Sequence, residues 1–81
     1  MSTLTEQVAA MIVETFRLDP GHLPERLDAD SIVAWDSLGH LQLMARIQET
    51  FGLQLTVRES VLLLDADAIV ATVVEKTANR L

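Results

Sequence analysis

The chain has 81 residues, 49% of them apolar, with twelve acidic and six basic side chains, a formal net charge of −6 and no cysteine. That length suits one domain over residues 1–81 with a small core, and it leaves no room for a deep catalytic cleft. The charge excludes the positive surface that nucleic acid or an anionic membrane requires and favours basic protein partners, while the lack of cysteine excludes a disulfide framework or a thiolate metal site.

The start Met1-Ser2-Thr3-Leu4-Thr5-Glu6 has neither the basic nor the apolar region of a signal peptide. Apolar runs such as Val61–Leu64 are far too short to span a bilayer. A cytoplasmic protein without a membrane span is therefore expected.

Thr3 followed by Glu6 is a capping-box pattern, in which each side chain satisfies a backbone N–H at a helix start. Leu4, Val8, Ile12 and Phe16 recur every four residues with Met11 beside them, which predicts one apolar stripe. Asp19-Pro20-Gly21 forbids continuation, so the first helix covers about 4–18. From Asp19 to Asp36 no period persists and a long loop is expected, with Leu27, Ile32 and Val33 as its candidates for burial. Loops this long in a compact domain are uncommon and are either functional or a sign of misassigned elements. Its charges lean towards function, because Asp19, Glu25, Asp28, Asp30 and Asp36 face only Arg26.

Ser37 to Phe51 reads as the second helix, with Gly52 placed for the left-handed conformation beyond its end. Leu43, Ile47 and Phe51, with Met44, form a core stripe, whereas Leu38, Leu41 and Ala45 form another that the small domain has no need to bury. Thr56 and Glu59 repeat the capping box, predicting a short third helix over 57–63; a strand through Leu53, Leu55 and Val57 has too few alternating positions and no partner. Asp65 or Asp67 caps a fourth helix over 66–78 carrying Ile69, Val70, Val73 and Val74, with Lys76 and Arg80 suited to its C-terminal end. The expected fold is all-α, a monomeric four-helix bundle of three long helices and one short one with a long first loop. Phe16, Leu43, Ile47, Phe51, Val70 and Val73 are its expected core.

The run Ala34-Trp35-Asp36-Ser37-Leu38-Gly39-His40-Leu41 puts a hydroxyl at a helix start, next to a carboxylate and followed by leucines. Asp36-Ser37-Leu38, the long loop before it, and Phe51-Gly52-Leu53 closing the helix after it together resemble the phosphopantetheine-attachment region of acyl and peptidyl carrier proteins. The resemblance covers nearly the whole chain. It implies a bundle of acyl-carrier type in which Ser37 takes a 4′-phosphopantetheine arm from coenzyme A through a phosphopantetheinyl transferase, and the arm's thiol holds an acyl or aminoacyl group as a thioester. Ser37 is then modified rather than catalytic, and the chain is not an enzyme: no clustered acid/base pair, phosphate loop or nucleophile with a nearby histidine is recognisable.

By the same resemblance Asp36 and Leu38 flank the cofactor site, and Leu38, Leu41 and Ala45 form the apolar patch that partner enzymes read. Asp36 helps recognition by a basic or metal-bearing transferase surface or is, equally, a plain helix cap, a role that the Ser37 side chain also suits. His40, one turn beyond Ser37, is expected to be a solvated helix residue, and two separated histidines make no metal site. Trp35 is expected to pack the loop against the bundle, or else to serve as an aromatic contact for partners. Carriers of primary fatty-acid synthesis usually have a strongly acidic second helix, whereas here its only fixed charges are Arg46 and Glu49. The chain looks more like freestanding carriers of specialised polyketide or nonribosomal-type pathways, loaded by an adenylating ligase or an acyltransferase and unloaded by a synthase or transferase. The alternative from another class is a small helical interaction domain without prosthetic group.

Overall fold

A computed structural model describes residues 3–78, so the expected terminal cation Arg80 lies outside the described residues. The order is α1 (Leu4–Phe16), α2 (Ser37–Phe51), α3 (Val57–Ser60) and α4 (Ala66–Ala78). The described residues form an all-helical bundle without a strand.

Each helix starts where local chemistry supplies an acceptor. Thr3 and Glu6 form a complete capping box on α1, as do Thr56 and Glu59 on α3. At α4 the choice falls on Asp65, whose Oδ1 accepts from the Ala68 N–H at 2.7 Å, leaving Asp67 in the first turn. Helix ends differ more from expectation. Helix α1 stops at Phe16, two residues short of the expected end, because Arg17 takes a left-handed conformation with φ of 53°. The Leu18 N–H then reaches the Val13 carbonyl at 3.0 Å, a closure that folds Leu18 back onto the core. Helix α3 ends at Ser60 rather than 63, since the Leu62 and Leu63 N–H groups bond three residues back to Glu59 and Ser60. That tighter turn buries Leu63.

Helix α1 packs against both α2 and α4. Its stripe of Val8, Met11, Ile12 and Phe16 meets Leu43, Met44 and Ile47 of α2 and Ile69 and Val73 of α4. Phe51 and Val70, expected at the centre, are only partly buried at its margin; Ile69, with no exposure, takes the place given to Val70. A one-position rotation of α4 decides this, because 69 and 73 share the face towards α1.

The stretch between α1 and α2 is irregular but fastened. Ala29 N–H donates to the Leu64 carbonyl at 2.9 Å and Ala66 N–H to the Leu27 carbonyl at 3.0 Å, a short bridge between the loop and the start of α4. Ile32 and Trp35 are buried in the core and Leu27 partly so, whereas Val33, expected to turn inward, is 98% exposed. Within this loop Asp28 Oδ1 accepts from the Ser31 N–H at 2.7 Å. Hydrogen bonds from the Ser31 side chain and backbone, in that order, hold the Asp28 carboxyl below its ordinary value. No helix among the described residues is long and apolar enough to cross a membrane.

Candidate functional site

Ser37 occupies the first position of α2 and is exposed, and among the described residues its hydroxyl has no hydrogen-bond partner. The cap is Asp36: its backbone is extended and its Oδ1 accepts from the Gly39 N–H at 2.8 Å, while its carbonyl takes the His40 N–H. Of the two residues suited to capping, only Asp36 does it. The Ser37 and Leu38 N–H groups are left directed out of the helix start, where the dipole is positive.

Gly39 fixes where that helix start sits. It is buried, and a Cβ there would collide with the Ala34 carbonyl oxygen and come within 2.7 Å of Phe16 Cε1. Only glycine lets the loop backbone and the α1 aromatic approach so closely. Phe16 in turn stacks on Trp35, with ring centroids 5.2 Å apart. Trp35 thus packs the loop against α1 beside the serine.

His40 is the main correction in this region. It is half-buried rather than solvated: Nδ1 lies 2.9 Å from Trp35 Nε1 and Nε2 lies 2.7 Å from the Ser60 carbonyl. An indole N–H only donates and a carbonyl only accepts, so Nδ1 bears the lone pair and Nε2 the proton. The ring links the loop, the first turn of α2 and the end of α3. No spacing in the sequence signals this bond, because its partners are 5 and 20 residues away.

The apolar stripe of α2 is at the surface, with Leu38 65% and Leu41 66% exposed and Ala45 exposed as well. The His40 bond brings the end of α3 to the same end of the molecule, and with it the exposed Val61 and Leu62. These two were absent from the expected patch; the apolar run Val61–Leu64 was the available signal. No charged residue falls between Ser37 and Ala45, and Arg46 turns towards α1, where Nη1 donates to Thr15 Oγ1 at 3.2 Å and lies 3.7 Å from Glu14 Oε2.

Two further carboxylates of the chain are held by hydrogen bonds. Glu59 on α3 meets Lys76 of α4 at 2.8 Å; that bond first, and the Thr56 N–H second, hold its carboxyl below the ordinary value. Asp19 is lowered by the Gly21 N–H and then by His22, whose Nδ1 lies 2.8 Å from Oδ2. Among the described residues no group of three or more His, Cys, Asp or Glu is placed to hold a metal ion. Comparisons with protein-family models, curated proteins and solved structures each find no match.

Proposed function

We propose that the chain is a carrier of acyl or aminoacyl groups, held as thioesters on a 4′-phosphopantetheine arm attached to Ser37. The observation that carries this reading is the exposed, unbonded Ser37 hydroxyl at the first position of α2, adjoining uncharged, exposed Leu38 and Leu41. The residues fit the group. A phosphodiester on Ser37 Oγ would be held by the Ser37 and Leu38 N–H groups and the positive end of the helix dipole.

In the attachment step Ser37 Oγ bonds to the phosphorus of coenzyme A that bears pantetheine, and adenosine 3′,5′-bisphosphate leaves. Among the described residues the neighbouring Asp36 carboxylate is engaged by the Gly39 N–H and His40 by Trp35 and Ser60, so the transferase takes the hydroxyl proton. Leu38, Leu41 and Ala45 then present an apolar surface to the loading enzyme, an adenylating ligase or acyltransferase, and to the downstream synthase or transferase. With so few charges along α2, docking relies on this surface and on the acidic loop of residues 19–36. Because carriers of primary fatty-acid synthesis usually have a strongly acidic second helix, the resemblance is closer to carriers of a specialised pathway.

The test is intact mass after incubation with coenzyme A and a promiscuous phosphopantetheinyl transferase. One phosphopantetheinyl group on the wild type and none on Ser37→Ala is the expected result. An unmodified wild type under conditions that convert an authentic carrier sinks the reading and promotes a helical interaction domain using the same apolar face. The role of Asp36 separates by substitution: Asp36→Asn keeps the cap and removes the charge, so slower loading with unchanged stability assigns the charge to recognition. Glu49→Lys is expected to slow loading less.

A further inference from the structure

Around Ser37 the least replaceable polar contact is the His40 bridge. Its two bonds demand opposite roles of the two ring nitrogens, and only the neutral ring with its proton on Nε2 supplies both. We infer that His40 is a proton-sensitive positioning residue: neutral, it ties Trp35 and Ser60 into one unit beside Ser37, and protonated at Nδ1 it releases Trp35.

The direction of release follows from the chemistry. A proton on Nδ1 turns the acceptor of the indole N–H into a second donor facing it, whereas Nε2 still donates to the Ser60 carbonyl. The α3 end of the bridge therefore holds and the loop end fails. Trp35 has no easy escape, because it is 5% exposed and stacked on Phe16, and its freed N–H is a buried donor without acceptor. The cost falls on the loop segment that the Trp35 backbone N–H closes onto the Ile32 carbonyl at 3.0 Å and that leads straight into Asp36 and Ser37.

The charged groups on the surrounding elements are few and mostly engaged. Asp36 at the start of α2 is bonded to the Gly39 N–H, Glu59 of α3 is paired with Lys76 of α4, and α2 has no other charge before Arg46. On the loop the acid nearest in sequence, Asp30, is exposed, and so are Arg17 at the end of α1 and Arg58 of α3. Glu59 is held below its ordinary 4.5, so the clasp between α3 and α4 stays ionised at pH 5.

Trp35 is the only tryptophan and the chain has no tyrosine, so its fluorescence and its single indole N–H resonance report this one contact. Between about pH 7.5 and 5, the span over which imidazole charges, the wild-type resonance is expected to move and its hydrogen exchange to quicken by about tenfold after correction for intrinsic rate, the equivalent of one ordinary hydrogen bond. His40→Gln, whose carboxamide accepts from the indole and donates to the carbonyl, should retain slow exchange with a flat profile. His40→Leu should exchange fast at both ends of the range. His22→Gln should give the same indole profile as the wild type. An indole signal unchanged with pH, an unaltered profile in His40→Gln, or slow exchange in His40→Leu overturns the inference. None of these readouts uses an arm on Ser37, so the outcome is independent of the carrier reading.

Discussion

Helix α4 and helix α3 both follow a capping signal, yet they are held in opposite ways. Helix α4 buries Ile69 and Val73 against α1 and belongs to the core. Helix α3 has no buried residue of its own and is fixed by the buried Leu53 and Leu63 on either side, the Gln48 side chain on the Leu55 N–H, His40 on the Ser60 carbonyl and Lys76 on Glu59. The comparison teaches that a local signal suffices to start a helix, while the strength of its attachment depends on what it buries. Apolar burial contributes most to attachment; exposed ion pairs contribute little.

The sharpest way to break this contrast is to empty the core side. Ile47 has no exposure, so Ile47→Ala is expected to cost about 2–5 kcal/mol in chemical denaturation. An unchanged midpoint would show that the core is not where the stability lies. Next is Gly39→Ala, in which the new methyl meets backbone that cannot give way. Overpacking costs about 1–3 kcal/mol, more than the roughly 0.5–1 kcal/mol alanine ordinarily gains over glycine in a helix. The expected net loss is on the order of 1 kcal/mol, and a stabilised variant would mean that the loop shifts freely.

Removing the α2 cap with Asp36→Ala should cost about 0.5–2 kcal/mol, whereas Ser37→Ala, outside the cap, should leave the thermal midpoint in place. The α3 side is probed by acid. Glu59 has a folded value below its unfolded one, so its contribution is present above about pH 4.5 and is lost as pH falls through the lowered value. Glu59→Gln should keep the capping box but flatten that acid limb, with the rest of the slope left to Asp19 and Asp28, lowered in the same sense. Smallest of all, Leu38→Ser and Leu41→Ser should change stability by no more than about 0.5 kcal/mol. A larger loss for either would place these leucines in the core and remove them from the surface offered to partners.

The amino-acid sequence determined whatever is decided within one helical turn. Both capping boxes, the Gly52 terminus with φ of 62°, the α1 stripe and the bounds of α2 follow from spacings of three and four residues. The placement of Ser37 at a helix start is of this kind, which is why the candidate site was legible at all. Tertiary structure decided the rest, because it depends on which side chains meet across distance. Arg17 left the helix so that Leu18 could return to the core, Ile69 rather than Val70 faced α1, and Ile32 turned inward while Val33 turned out. The buried Gly39 and the bridging His40 are the clearest cases: one is read only from the Ala34 carbonyl and Phe16 ring above it, the other only from an indole and a carbonyl that the folded chain brings to opposite sides of one imidazole.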